Sequence, residues 1–308
     1  MTGEERLNFD LSVKLLRLMQ NEKILFEKKK GTMDYLIKMG ADVNAKIFGK
    51  TMAVWAKELG DEKAIQFVKE NNGKEEVISK EEAESLGKEF WGENGELKSI
   101  DEIKDLVMCG ANLGAFIKVY NSIDERYEDT QIWKNLKVEE INEILEVLPN
   151  GYVIDGNVNL SQKGLEELPD FSNVKVKGNF DCYGNNLTAL RGAPSEVGGY
   201  FDCSWNKLTT LEGAPCKVER HFNCCSNLLT NLRGAPSVVR GDFRCNKNKL
   251  VNLEGAPRKV GRDFDCNNNK LTSLSGKPRN IGGDFIIEEE VKNKLSKRGL
   301  YRIFGGRE

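Results

Sequence analysis

A 21-residue period runs through the C-terminal half of this 308-residue chain. Phenylalanine returns at this spacing, at positions 180, 201, 222, 243, 264 and 285. Five full units span 178–282, and the second of them reads GYFDCSWNKLTTLEGAPCKVE. A degenerate unit precedes them and a truncated one, GDFII, follows. A fixed period of this length predicts a solenoid, in which each unit buries its apolar side against its neighbours.

Within a unit, the spacing of apolar residues predicts a short strand. Phe201 and Cys203 are two residues apart and therefore face the same way in a strand, whereas Asp202 faces the other way. The cysteine column predicts small, buried and reduced thiols that pack in a narrow core. It comprises positions 182, 203, 224, 245 and 266. Cys216 and Cys225 break this column, and we expect them to be more exposed.

Asparagine and proline recur after the strand for different reasons. Asparagines at 185, 206, 227, 248 and 269 follow it closely, and their amides are able to bond backbone groups where the chain turns inward. Five of the seven prolines stand at 194, 215, 236, 257 and 278. Because proline lacks an amide donor, we expect a loose return path there, outside any paired strand.

The unit resembles a leucine-rich repeat, whose frame is L-x-x-L-x-L-x-x-N-x-L. Phe and Cys stand at its two strand core positions, followed by Asn and then Leu. The tail L-x-G-A-P-x-x-V is similar to the short LPX-type repeats of bacterial secreted effectors. This resemblance covers about 155–285 and implies a parallel sheet lining a concave face, which binds a macromolecular partner.

The N-terminal part resembles an ankyrin repeat junction. GADVNAK (40–46) closes one unit, and Gly49, Thr51 and WAKELGDEKAIQFVKE match the next unit. GANLGA (110–115) is a second echo. We expect helices here, an insertion or irregular unit at 74–98, and a helical segment at 116–150. In that last segment the amphipathic stretch VEEINEILEVL is expected to cap the solenoid.

The expected fold is therefore an α+β repeat protein of two regions. Residues 1–150 form a helical, divergent ankyrin-like region, and residues 151–308 form a leucine-rich solenoid with a C-terminal cap. Charge divides along the same line. Residues 1–150 carry 22 Lys and Arg against 30 Asp and Glu, a net of −8, whereas residues 178–284 carry 15 against 10, a net of +5.

Composition argues against several kinds of site. The chain has a single histidine, His221, which disfavours histidine-dependent nucleophilic catalysis and multi-histidine metal sites. No apolar run approaches the roughly 20 residues of a membrane helix. The first residues lack the basic and apolar segments of a signal peptide. We expect a cytoplasmic protein without cofactor, metal, membrane or small-molecule substrate, with delivery into a host cell left open.

An enzyme is the less favoured class. LPX-type effectors can carry a ubiquitin-ligase domain with a catalytic cysteine, but only about 23 residues follow the repeats here. Cys109 sits at an apolar helical position and is expected to be core. Acidic runs such as EEAE are expected to be solvated faces. We therefore expect a non-enzymatic module that binds a protein, as a bacterial effector or a phage-type inhibitor.

The outward strand positions give the predicted partner site. Most outward positions hold Asp or Asn. The outward residues of other types are candidates for partner binding, because aromatic residues and Arg most often anchor interfaces. The predicted site comprises Tyr183, Tyr200, Asp202, Trp205, His221, Arg244 and Lys247, with Tyr200, Trp205 and Arg244 at its centre. Packing of these rings on each other or on the N-terminal region is the alternative.

Nucleic-acid binding is the alternative function. It would use the basic residues of the repeats, namely Arg220, Arg240, Arg244, Lys247 and Arg262. Strong salt dependence of binding to nonspecific DNA or RNA would favour it.

Overall fold

The computed structural model describes residues 3–20, 26–91, 97–114, 116–121 and 126–297. The chain divides into two compact units, Met1–Thr130 and Gln131–Glu308. Part of the predicted C-terminal cap, 298–308, lies outside the described residues. None of the helices in the described ranges combines the length and the apolar character needed to cross a membrane.

The first unit consists of helices followed by one hairpin. Its elements are α1 (Gly3–Met19), α2 (Phe26–Lys38), α3 (Met52–Leu59), α4 (Glu62–Glu70), α5 (Lys80–Lys88), α6 (Ile100–Met108), β1 (Phe116–Asn121) and β2 (Arg126–Gln131), the last strand ending one residue beyond the unit. Consecutive helices pack in pairs, α1 with α2, α3 with α4 and α5 with α6. Strands β1 and β2 pair with each other.

The two echoed sequence segments fold into the same turn. Gly40 and Gly110 have φ of 108° and 102°, a backbone region that favours glycine. In both turns a side-chain oxygen accepts a hydrogen bond from the N–H two residues on, at 2.8 Å: Asp42 Oδ1 from Asn44, and Asn112 Oδ1 from Gly114. The sequence echo is thus a repeated turn structure.

Two expectations for this region differ from the structure. Segment 74–98 contains a regular helix, α5, whose N-cap Ser79 accepts a hydrogen bond from the Glu82 N–H at 3.0 Å. The prediction of a helical 116–150 is wrong for β1 and β2. FIKVYN carries β-branched and aromatic residues of high strand propensity, which the helical interpretation gave too little weight. The helix over VEEINEILEVL is confirmed.

The second unit begins with two helices and continues as a β-solenoid with two parallel sheets. The helices are α7 (Ile132–Asn135) and α8 (Val138–Val147). One sheet, here the valine sheet, comprises β3 (Tyr152–Ile154), β5 (Val174–Val176), β7 (Glu196–Val197), β9 (Lys217–Val218), β11 (Val238–Val239), β13 (Lys259–Val260) and β15 (Asn280–Ile281).

The other sheet, here the phenylalanine sheet, carries the predicted site. It comprises β4 (Val158–Asn159), β6 (Phe180–Asp181), β8 (Phe201–Asp202), β10 (Phe222–Asn223), β12 (Phe243–Arg244), β14 (Phe264–Asp265) and β16 (Phe285–Ile286). Equivalent residues of successive units pair in parallel, as Phe201 does with Phe222. A helix, α9 (Glu289–Lys297), follows the last strand.

The valine sheet replaces the loose return path that the prolines suggested. In each full unit a paired strand begins two residues after the proline, as Lys217–Val218 does after Pro215. The proline itself stays outside the strand, so the strand retains its amide donors. A buried valine in each of the first four full units, such as Val218 or Val239, gives this strand its inward side.

The core is a set of ladders along the solenoid. The rings of Phe180 to Phe285 stack with centroids 5.3–5.9 Å apart and interplanar angles of 7–24°. The five column cysteines are unpaired with one another and at most 1% exposed, which confirms that they are buried. Four of these thiols, those of Cys182, Cys203, Cys245 and Cys266, donate to carbonyl oxygens of the next turn, as Cys203 Sγ does to Asn223 at 3.3 Å.

The recurring asparagines bond backbone groups, as predicted, and some of these bonds also join neighbouring turns. Asn206 Nδ2 donates to the carbonyl oxygens of Cys203 at 3.1 Å and of Cys182, one turn back, at 3.0 Å. Its Oδ1 accepts from Leu187 N at 3.0 Å. The side chain is 8% exposed, so these bonds satisfy backbone groups that water does not reach.

Both ends of the phenylalanine stack are covered. At the first end, the ring of Trp133 in α7 lies 5.4 Å from that of Phe171, which lies 5.3 Å from Phe180. At the other end, Lys277 Nζ lies 4.1 Å from the centroid of Phe285. Lys277 occupies the position that is alanine in the other full units, so the last unit substitutes a cation that covers an aromatic face.

Candidate functional site

Two columns of side chains flank the inward phenylalanines and Val158, which takes the place of phenylalanine in the degenerate unit and pairs in register with Phe180. The entry column holds the residue before each phenylalanine. In it a side-chain acceptor takes a hydrogen bond from the backbone N–H of the next entry residue, at 2.8–3.3 Å. These bonds join Asn157 to Asn179, Asn179 to Tyr200, His221 to Asp242, Asp242 to Asp263, and Asp263 to Asp284. Tyr200 offers no such bond to His221, so the ladder is interrupted there.

The exit column holds the residue after each phenylalanine. Its Asp or Asn accepts from the backbone N–H two residues on, at 2.9–3.2 Å, which closes the strand end with an Asx turn. The acceptors are Asn159, Asp181, Asp202, Asn223 and Asp265. Arg244 has no acceptor atom, so Asn246 N lacks this bond. The frequent Asp and Asn of this column therefore have a structural role. The sequence pattern showed only that they are common at outward positions.

Asp202 illustrates that role within the predicted site. Its Oδ1 accepts from Ser204 N at 2.9 Å and from Ser204 Oγ at 2.5 Å, and its Oδ2 accepts from Asn223 Nδ2 at 3.0 Å. Both oxygens are thus engaged within the sheet.

The tyrosines are half-buried beside these carboxylates. Burial, together with the charges of Asp181 and Asp202, raises the pKa of the Tyr200 phenol. Burial is also the main reason that the pKa of Asp181 is raised. Tyr183 N donates to Asp181 Oδ1 at 2.9 Å, which places its side chain on the unit before Tyr200. Tyr200 therefore stays protonated and can act as a hydrogen-bond donor at neutral pH.

Trp205 and Lys247 stand at the corner where the chain leaves the sheet. Each directly precedes one of the recurring asparagines that bond across turns, here called ladder asparagines, namely Asn206 and Asn248. Both have φ of 55°, in the left-handed region. Trp205 is 57% exposed, the largest exposed fraction among the large apolar side chains described in 131–294. The backbone at this corner directs the side chain into solvent.

His221, Arg244 and Arg262 converge on one buried carboxylate, Asp242. Asp242 is 5% exposed, and its oxygens lie 3.0 Å from Arg244 Nη2 and 3.7 Å from Arg262 Nε. His221 Nδ1 accepts from Asp242 N at 3.0 Å. The Arg244 guanidinium is therefore oriented by a residue that is itself fixed. Sequence reasoning missed Asp242, because nothing distinguishes it there from the other outward aspartates.

The structure brings part of the predicted site together. Tyr200, Asp202, His221 and Arg244 lie on the paired strands or strand edges of three consecutive units, about 5 Å apart per unit. Trp205 and Lys247 lie beyond the exit column at the corner, and Tyr183 lies one unit earlier.

The basic residues considered for nucleic acid differ in their pairing. Arg240 pairs with Glu219 at 2.7 Å, while Arg244 and Arg262 pair with Asp242. Arg220 and Lys247 are exposed, and neither has a carboxylate partner among the described residues. The described side chains also include no cluster of three or more potential metal ligands.

Comparison with known proteins found no matching protein family, no similar curated protein and no similar solved structure.

Proposed function

We propose that this protein binds a protein partner through the outer face of the phenylalanine sheet, with Tyr200, Trp205 and Arg244 at the centre. One observation carries the proposal. Tyr200 and Arg244 stand where the column pattern supplies an Asp or Asn, or in one case His, that holds a backbone N–H. At each position the chain gives up a structural hydrogen bond and presents a different side chain to solvent.

The energetic consequence favours a binding role. A hydrogen bond of this kind contributes about 0.5–1.5 kcal/mol, so asparagine at either position would stabilise the fold. Residues that lower stability at exposed positions are typical of functional sites.

The chemistry of the three side chains fits an interface. Tyr, Trp and Arg are the residues most enriched among interface anchors. Arg244 is held by Asp242 at 3.0 Å, so less side-chain freedom is lost on binding. Trp205 offers an exposed indole whose burial by a partner is favourable.

We further propose that the role is binding without catalysis. The resemblance to LPX-type repeats suggests a bacterial effector or phage-type inhibitor that acts on its partner in the cytoplasm. The nucleic-acid alternative loses support at three of its five basic residues, because Arg240, Arg244 and Arg262 already have carboxylate partners.

The decisive experiment removes the side chains of Tyr200, Trp205 and Arg244. At positions 200 and 244 it also supplies the missing side-chain hydrogen-bond acceptor. The partner is first captured from the source cell with tagged protein and identified by mass spectrometry. Its Kd is then measured for wild type, Tyr200→Asn, Trp205→Gly and Arg244→Asn. We expect each variant to weaken binding at least about tenfold, with an unchanged or raised melting temperature.

A matched control removes an exposed apolar side chain elsewhere. Val251 is 45% exposed and occupies a position that is threonine in the other full units, so Val251→Thr should leave Kd unchanged. Wild-type affinity in Tyr200→Asn and Arg244→Asn together would exclude this face as the binding site.

A further inference from the structure

The charge on the outer surface of the valine sheet changes along the solenoid. In its earlier units, cations on the outward strand positions and two residues further on are all paired with carboxylates. The pairs are Lys175 with Glu196 at 2.7 Å, Lys177 with Asp155 at 3.0 Å, and Lys217 and Arg240 with Glu219, both at 2.7 Å. This part of the surface is therefore close to neutral.

The fourth and fifth full units carry cations without such partners. Arg258, Lys259 and Arg279, here the basic ridge, are exposed, and none has a carboxylate within ion-pair distance among the described residues. In earlier units the column of Arg258 and Arg279 holds uncharged residues, namely Val174, Ser195, Cys216 and Ser237. The charge is thus specific to this end of the sheet.

The basic ridge places like charges next to each other. Arg279 N donates to the carbonyl oxygen of Arg258 at 3.1 Å, so these two arginines occupy equivalent positions of adjacent turns, about 5 Å apart. Like charges on neighbouring strands destabilise a sheet. An anionic ligand that lies across both turns would relieve this repulsion.

We infer that the basic ridge binds the phosphate backbone of duplex nucleic acid. The guanidinium groups of Arg258 and Arg279 match phosphate oxygens in two-point geometry. A protein partner is less well matched, because a stable protein interface has an apolar centre and the exposed apolar residue nearby, Val238, lies at the margin.

The form of the surface further specifies the ligand. Residues 237–240, 258–261 and 279–282 include no aromatic side chain on which unpaired bases would stack. These two-residue strands also offer no helix or protruding ribbon to enter a groove, so contacts fall on phosphates and binding is independent of sequence. This site is separate from the proposed partner face, since it lies on the other sheet.

The test uses the full chain and a fluorescein-labelled duplex DNA of about 20 base pairs at about 50 mM salt, followed by anisotropy. Three phosphate contacts predict a slope near −3 in a plot of log K against log salt. Arg258→Ser with Arg279→Ser copies the serine of earlier units. We expect this double variant to weaken binding at least about tenfold and to reduce the slope by about 2.

The matched control removes two exposed arginines that are already paired. Arg191 pairs with Glu212 at 3.2 Å and Arg233 with Glu254 at 3.6 Å, so Arg191→Ser with Arg233→Ser changes the net charge equally. Equal loss of binding in both double variants, or no binding by wild type, would overturn the proposal. So would displacement of the duplex by poly-L-glutamate at equal charge, or binding confined to phosphatidylserine vesicles.

Discussion

Asn206 Nδ2 lies 3.0 Å from the carbonyl oxygen of Cys182, one full turn earlier in the solenoid. This bond crosses between units through a side chain, in addition to the backbone ladders of the two sheets. The same relationship recurs from Asn227 to Cys203 and from Asn248 to Cys224, both at 3.0 Å. The stability of each turn therefore depends on the asparagine of the next.

Replacement of Asn206 by Ala should lower the free energy of unfolding by about 2 kcal/mol, because it leaves the buried Leu187 N–H without its acceptor. It also removes one of the two amide donors to each of the carbonyl oxygens of Cys182 and Cys203, which keep Asn185 and Asn227 respectively. Urea unfolding of the full chain measures this. Asn186→Ala is the control, since its amide makes only a 3.4 Å bond to Gly164 in an exposed setting. A loss below about 0.5 kcal/mol is expected for the control, and equal losses in the two variants would contradict the ladder's role.

The cysteine column should make stability fall at alkaline pH. Burial raises the pKa of Cys203 well above its ordinary value, and that of Cys266 to about 12. In the unfolded chain a thiol ionises near pH 8.5. Its contribution to stability is therefore complete below about pH 8.5 and is lost as pH rises toward the folded value, by about 1.4 kcal/mol per pH unit and thiol.

Denaturant unfolding between about pH 9 and 11 checks this slope. Cys203→Ala should reduce it by about 1.4 kcal/mol per pH unit, whereas Cys216→Ala, at an exposed position, should leave it unchanged. In native protein a polar maleimide should modify Cys216 first and spare Cys203, Cys224 and Cys245. Labelling of these three as fast as in urea would contradict their burial.

A methyl group at Gly213 should not fit. The residue has φ of +88°, and an added Cβ would lie 2.6 Å from the backbone of Leu190 in the preceding turn. We expect Gly213→Ala to destabilise the fold by about 3 kcal/mol or more. Gly164 has φ of +71° with no heavy atom within 4 Å, so Gly164→Ala isolates the backbone effect of about 1 kcal/mol. Similar thermal shifts in both would show that close packing of turns is unimportant.

Removal of α7 together with α8 should uncover the first end of the solenoid. The ring of Trp133 packs on Phe171, and Lys134 Nζ donates to the Ser161 carbonyl oxygen at 3.0 Å. We expect a 131–308 fragment to unfold at higher urea concentration than a 151–308 fragment. In the full chain, Trp133→Ala should cost about 3–5 kcal/mol and Trp133→Phe markedly less. Equal midpoints for the two fragments would exclude a capping role.

Much of the solenoid was predictable because its main core residues repeat without exception in the five full units. Phe, Cys and Asn recur at one spacing, and each has a chemical property that admits few positions in a turn. The valine sheet was missed because a two-residue strand shows no alternation, and the proline nearby indicated a loop. The hairpin of β1 and β2 was missed because helix and strand patterns overlap in short segments.

The partner face was predictable only as a set of outward positions. Polarity does not reveal that Asp202 closes an Asx turn, whereas Arg244 closes none. That difference depends on hydrogen bonds between residues two apart or one turn apart, which only the three-dimensional register supplies. For the same reason, Asp242 looked like any other aspartate until the structure placed two arginines beside it.

The corner before each ladder asparagine has a consequence for how such a chain can vary. Its backbone has φ of 53–68° in the five turns that carry it, yet four of the five residues are not glycine: Gly184, Trp205, Ser226, Lys247 and Asn268. Each non-glycine residue there costs about 1 kcal/mol. Because the side chain points away from the core, exchange at this corner alters the surface without repacking the interior. Each turn of the solenoid thus has one variable surface position, and successive positions lie about 5 Å apart. A library randomised only at these positions would vary recognition while leaving the fold intact.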